Sequence, residues 1–250
     1  MNFLTNGDTI IFSGGFNAEP DVELISGFTK LIFSDYMLDN KKKIFEYYAK
    51  NDFRRCLRQF PSKFNKDVSK LPQSLTQINF GWCFNQDVSV LPPFLTYLYF
   101  GYEFNRDVSN LPQTLTLIKF SVCFNQDISK LPPFLTHLTL SNYFNQEILN
   151  LPHTLIYLRL GSMFDQQFNI PSSIKYLKLC SNNQYIIDSL PNSIVELELD
   201  RYADEMHMNN LPTSLKKLII DRFNRYDEDL NSLPNFIEEL HLNRYYKKRI

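Results

Sequence analysis

The chain has 250 residues, 44% of them hydrophobic, enough to bury a sizeable core. Lys and Arg number 26 against 27 Asp and Glu, a balance that excludes a sequence-independent nucleic-acid binder, which needs a clear basic excess. No run approaches the roughly 18 apolar residues of a membrane span, the start Met1-Asn2-Phe3-Leu4-Thr5-Asn6-Gly7-Asp8 does not read as a signal peptide, and four cysteines without an Asn-x-Ser/Thr sequon predict a reduced protein of a cell or host cytoplasm.

Two dipeptides set a register. Phe-Asn recurs at 64, 84, 104, 124 and 144 and decays to Phe164-Asp165. Leu-Pro recurs at 71, 91, 111, 131 and 151, becomes Ile170-Pro171, and returns at 190, 211 and 233. The central period is 20 residues. Within the coil 71–90, Leu75, Ile78 and Phe80 are set against polar Gln77 and Asn79, a period of two that marks a strand with one buried face. The rest of the coil is too short for a helix and a return. Each coil is therefore a short strand followed by tight backbone, and stacking makes successive strands parallel.

Taken in chain order, the strand slot predicts coils at Thr9–Phe12, followed by Phe16-Asn17, and at Phe28–Phe33. A helix is predicted near 40–53, where Ile44, Phe45 and Tyr48, extended by Phe53 and Leu57, form one apolar stripe. Further strands end at Phe60, Phe80, Phe100, Phe120, Leu140, Leu160, Leu179, Leu199, Ile220 and Leu242. The expected fold is a leucine-rich-repeat-like solenoid, with a parallel β-sheet of about twelve short strands and little helix beyond the inserted one. One solenoid over 1–250 is expected: degenerate coils at 1–37, a helical insertion at 38–55, regular repeats at 56–165, and degenerate coils with a cap at 166–250.

The repeated residue types suit packing. Phe64, Phe84, Phe104, Phe124, Phe144 and Phe164 share one slot and should stack into a spine, each worth about 1.5–3 kcal/mol by area with up to about 1.5 kcal/mol more per stacked pair. Asn65, Asn85, Asn105, Asn125 and Asn145 carry both donor and acceptor and can bond along the stack. Pro72 and its equivalents fix φ at re-entry. Asp67, Asp87, Asp107, Asp127 and Glu147 repel at coil spacing, so solvation or bonds to loop amides are expected.

The unit L-P-x-x-L-T-x-L-x-F-G-x-x-F-N-Q resembles the FNIP repeat, a relative of the leucine-rich repeat, most closely over 60–165. Members of that family occur mainly in amoebae and in giant DNA viruses that infect them. Many carry an F-box ahead of the repeats, which implies substrate adaptors of ubiquitin ligases. No F-box-like helix precedes residue 64 here, where the first coils take up the space. The leading expectation is a protein-interaction scaffold. The alternatives are a ubiquitin-ligase adaptor without its own F-box and a structural or virion-associated protein.

Two columns should project away from the core. One holds Gln77, Tyr97, Leu117, His137, Tyr157, Tyr176, Glu196, Lys217 and Glu239; the other holds Asn79, Tyr99, Lys119, Thr139, Arg159, Lys178, Glu198, Ile219 and His241. These vary from coil to coil while core slots do not. The candidate partner-binding residues are Trp82, Tyr97, Tyr99, Tyr102, Lys119, His137, Tyr157, Arg159, Tyr176 and Lys178, because Tyr, Trp and Arg dominate binding hot spots. The alternating charges of the last coils read as a solvated face. No catalytic, cofactor-binding or metal residues are expected: the four histidines occupy different slots, and no Cys-x-x-Cys, His-Glu-x-x-His, Gly-rich phosphate loop or Gly-x-Ser-x-Gly elbow occurs. Cys83 and Cys123 stand two coils apart, too far for a disulfide, and should be buried free thiols. A protein partner of unknown identity is expected, with no nucleic acid and no membrane.

Overall fold

The computed structural model describes residues 3–34, 62–200, 207–208, 210–220 and 233–242. The chain divides into two compact units, Met1–Cys123 and Phe124–Ile250. The first contains β1 (Phe3–Asn6), β2 (Thr9–Phe12), α1 (Val22–Ile25), β3 (Lys30–Phe33), β4 (Gln77–Asn79), β5 (Tyr97–Tyr99) and β6 (Leu117–Lys119). The second contains β7 (His137–Thr139), β8 (Tyr157–Leu160), β9 (Tyr176–Leu179), α2 (Gln184–Asp188), β10 (Glu196–Leu199), β11 (Lys217–Ile220) and β12 (Glu239–His241). Strands β2 to β6 pair in parallel and in chain order within the first unit. Strands β7 to β12 do the same within the second. This is a leucine-rich-repeat-like β-solenoid with very little helix among the described residues.

Each coil enters its strand through one turn. The Leu75 amide donates to the Pro72 carbonyl at 3.3 Å, and the bond recurs between Leu115 and Pro112, Leu155 and Pro152, Ile194 and Pro191, and Ile237 and Pro234. Proline suits the position because its φ is already that of a turn and it gives up no needed donor. The chain then extends, and Leu75, Ile78 and Phe80 point inward and are fully buried.

One strand was not foreseen. At Gly7, with φ of 57°, the chain reverses, and β1 pairs antiparallel with β2. Glycine takes this left-handed conformation at no steric cost. The hairpin occupies an edge of β2 that would otherwise be open to pairing. The coil expected to end at Phe60 lies outside the described residues. β3 pairs directly with β4, Leu31 opposite Ile78. Phe64 stacks on Phe33 at 3.6 Å, the Lys63 amide bonds the Gly14 carbonyl, and the Asn65 amide bonds the Asn17 side chain. Residues 62–65 therefore pack against the coils opened by β2 and β3. The helix expected near 40–53 lies outside the described residues.

The core is a double row of rings in the first unit. A strand-end Phe lies face to face with the loop Phe of its own coil: Phe80 on Phe84 at 3.8 Å, Phe100 on Phe104 at 3.8 Å. Rings of successive coils follow at 5.8 Å for Phe80 to Phe100 and 6.1 Å for Phe84 to Phe104. In the second unit the strand-end slot holds Leu140, Leu160, Leu179 and Leu199, and a single row remains, Phe124 to Phe144 at 6.2 Å and Phe144 to Phe164 at 6.1 Å. The coils are pressed close at the turn after the strand. A Cβ on Gly101 would sit 1.9 Å from the Gly81 carbonyl oxygen, so that contact leaves no room for a side chain.

Polar ladders run beside the rings. The Asn85 amide donates to the Asn65 side-chain oxygen at 2.9 Å, Asn105 to Asn85 at 3.0 Å, Asn145 to Asn125 at 2.9 Å, and Asp165 to Asn145 at 3.1 Å. Each Asn thus satisfies a loop amide of the following coil. The Asp column is resolved within each coil: Asp67, Asp87, Asp107 and Asp127 each accept the amide and the hydroxyl of the Ser two residues on. The Ser hydroxyl, then its amide, hold Asp67, Asp87 and Asp127 below the usual carboxylate range.

Two outcomes follow. Phe104→Ala should cost about 3–5 kcal/mol in urea unfolding, whereas Phe94→Ala, at a site 63% exposed, should stay within about 0.5 kcal/mol. Because the Asp values are lowered on folding, their contribution is present above the unfolded value of about 3.9 and lost as pH falls through the folded value. The triple variant Asp67→Asn, Asp87→Asn, Asp127→Asn should show a flatter loss of thermal stability below about pH 4 than the parent; an identical acid limb would contradict the assignment.

Candidate binding face

The outward side chains alternate with the buried Leu and Ile of each strand. In the first unit Gln77, Tyr97 and Leu117 stand in register on β4, β5 and β6. Tyr97 is 43% exposed. The second column is covered more than expected. Tyr99 is 7% exposed and Asn79 is 8% exposed, which corrects their assignment to an open surface. Tyr99 is flanked in register by Asn79 and Lys119. At about 4.8 Å between strands, long neighbours on both sides cover a ring. Burial pushes the Tyr99 phenol above its usual value. Lys119 is half-buried and engaged within the protein. Trp82 and Tyr102 lie in the turns after β4 and β5, half-buried, their rings parallel within 2° at 4.2 Å.

In the second unit the first column forms a ladder. His137 stacks on Tyr157 at 5.8 Å, and Tyr157 stands opposite Tyr176, which is 43% exposed. Burial lowers the His137 value, and its Nδ1 shares a hydrogen bond with the Thr136 hydroxyl at 2.9 Å. Burial likewise raises the Tyr157 phenol. The two cations of the second column are already spoken for. The Arg159 guanidinium donates to the Leu140 carbonyl at 3.0 Å and to Asn142 Oδ1 at 3.1 Å. Lys178 is 4% exposed, which corrects its expected place on the open face. Its ammonium bonds Glu198 and lies 3.1 Å from Asp200. Burial alone would lower its pKa, but the Glu198 bond and the Asp200 and Glu198 charges outweigh it and hold the value above normal.

Several features were not singled out from the sequence. Phe94 and Phe134, each 63% exposed, occupy a slot filled elsewhere by Ser74, Thr114 and Thr154. The twice-repeated Leu-Pro-Pro-Phe-Leu-Thr was the available signal. Asp200 completes the Lys178 ion pair and also takes the Cys180 thiol at 3.7 Å. A groove lined by Leu149, His153, Phe168 and Ser173 opens in the second unit, where Asp-x-Ser gives way to Glu147-Ile148-Leu149. Cys83 and Cys123 are half-buried free thiols, not fully buried ones, because they sit in turns beyond the strands. Cys180 is buried and held up at about 11, so it is not a thiolate nucleophile. Among the described residues no group of His, Cys, Asp and Glu is placed to hold a metal ion, and no helix is long and apolar enough to cross a membrane.

The ion pairs differ in exposure, and so should their worth. Lys178→Ala removes the ammonium that Glu198 and Asp200 share in a covered site and should cost about 3 kcal/mol in chemical denaturation. Lys216 and Glu238 are 59% and 63% exposed, and Lys216→Ala should stay within about 0.5 kcal/mol. Equal losses would contradict the burial argument.

Comparison with known proteins fits this geometry. The sequence family described as FNIP Repeat matches residues 87–123, 124–163 and 164–202. No curated protein matches the chain. A crystal structure of CroV588, described as a novel circular LRR protein and coming from a giant virus, superposes with a TM-score of 0.58 at 25% identity. The match takes in 98% of this chain but 45% of that one, so the chain spans less than half the length of its neighbour. Residues 87–202 are thus similar to three tandem FNIP repeats, in a chain folded as a leucine-rich-repeat-like solenoid.

Proposed function

We propose that the protein is an interaction scaffold, not an enzyme, and that it binds a partner protein through the outward first column of its strands. The observation that carries this reading is the contrast within single strands. Tyr97 and Tyr176 are each 43% exposed, while Leu98 and Leu177 beside them are buried. Rigid backbone holds these rings in place, so ordering them on binding costs little side-chain entropy. The reading narrows the candidate residues. Tyr97, with the Trp82–Tyr102 pair in the turns after β4 and β5, serves the first unit, and the ladder His137, Tyr157 and Tyr176 serves the second. Tyr99, Arg159 and Lys178 act beneath the face, as support. Free thiols at Cys83, Cys123 and Cys180 suit a reducing compartment.

Proximity labelling in the native cell, followed by direct binding to the partner so identified, tests the reading. Tyr97→Ala and Tyr176→Ala are measured separately, one for each unit. At least one should weaken binding by about ten-fold or more with the melting temperature unchanged. Full affinity in both variants would contradict a partner site on this column.

A further inference from the structure

The hairpin that joins β1 to β2 turns on the only Asn-Gly pair in the chain, Asn6-Gly7. Asn6 closes the strand pair opposite Thr9, and Gly7 and Asp8 form the turn. All three turn residues, Asn6, Gly7 and Asp8, are exposed. The Asn6 side chain and the Gly7 amide hydrogen-bond to no group among the described residues. Apart from its chain neighbours, no heavy atom lies within 4 Å of where a Gly7 Cβ would stand, so nothing crowds the turn from that side.

The same turn anchors the hairpin on the next coil. The Asp8 carbonyl accepts the Thr29 amide at 3.0 Å and the Lys30 amide at 3.1 Å. Its carboxylate accepts the Thr29 hydroxyl at 2.6 Å and lies 3.4 Å from Lys30 Nζ. The Thr29 bond, with Lys30 and Thr9 adding to it, holds the Asp8 carboxyl below its usual range. Strand β1 in turn lays Phe3 against Phe12, ring centres 6.0 Å apart, and buries Leu4.

We propose that Asn6 is a self-modification site, at which the Gly7 nitrogen converts the asparagine to aspartate and isoaspartate and so loosens β1 from β2. Asparagine is a thermally labile side chain, and a following glycine leaves the peptide nitrogen unhindered. Hydroxide removes the Gly7 amide proton. The nitrogen attacks Asn6 Cγ and closes a five-membered imide. The Cγ–Nδ2 bond breaks, and the departing nitrogen takes a proton from water, leaving as ammonia and restoring hydroxide. Water then opens the imide. Breaking the bond to Cγ leaves aspartate, whose carboxylate repels that of Asp8. Breaking the bond to the backbone carbonyl carbon leaves isoaspartate. The chain then runs through the side chain and gains one methylene, which a two-residue turn cannot absorb with Asn6 still opposite Thr9.

Ageing the full chain in mildly alkaline buffer tests this, with tandem mass spectrometry of the Asn6 peptide and hydrogen exchange of the backbone amides. The peptide should gain about 1 Da, the replacement of an amide NH2 by OH, at a rate proportional to hydroxide. An isoaspartyl methyltransferase should label it. Asn6→Gln, whose imide would need a six-membered ring, should gain no mass there over the same period. In the modified fraction the amides that pair β1 with β2 should lose about ten-fold or more of their protection, with those of β5 unchanged. If Asn6 stays intact in the folded chain while a guanidinium-unfolded sample reacts, the hairpin shields it and the proposal is overturned. Modification that leaves the β1–β2 protection intact overturns the loosening.

Discussion

The contact on which everything else depends is the face-to-face packing of a strand-end ring on the loop ring of the same coil. Phe80 on Phe84 and Phe100 on Phe104 hold the strand and its return together across the narrow core. A coil of this length cannot close its own core. Its inward residues are buried only because the neighbouring coils lie against both sides, so stability accrues by nearest-neighbour stacking. Once the rings fix the spacing, the remaining polar groups have one consistent solution. The Asn65, Asn85, Asn125 and Asn145 oxygens meet amides of the following loops, and Thr hydroxyls of the re-entry turns bond back, as Thr96 does to Thr76 and Thr116 to Thr96 at 3.1 Å.

That regularity has a functional corollary. A side chain pointing out of the sheet is free of the core's demands, yet it is not free of its neighbours. The second outward column shows this. Tyr99 and Lys178 are as covered as many core residues, one between flanking side chains and the other among carboxylates. The first column stays open at Tyr97 and Tyr176. Open and covered outward positions thus lie on the same strand, separated by one buried residue.

The sequence was most legible where a residue's role repeats. The period, the parallel strands, the inward slots and the Phe spine follow from spacing alone, because every coil obeys the same packing rule. It was least legible where one coil departs from the rule. The β1 hairpin has no repeat to announce it. Alternation correctly placed Tyr99 and Lys178 on the outward side, but it carries no information about lateral cover. Asp200 falls just past its strand, outside the alternating positions, so its tie to Lys178 appears only once the coils are stacked.

The central claim is a division of labour within each coil: inward slots carry stability and the outward first column carries recognition. A saturation scan of residues 91–110 and 171–190, read in parallel for abundance of folded protein and for binding to the identified partner, tests it most directly. The account predicts that substitutions at Leu95, Leu98, Phe100 and Phe104, and at Leu177 and Leu179, reduce abundance. Those at Tyr97 or Tyr176 should reduce binding at unchanged abundance. Binding losses that track abundance at every position, with no separable effect at either tyrosine, would contradict it.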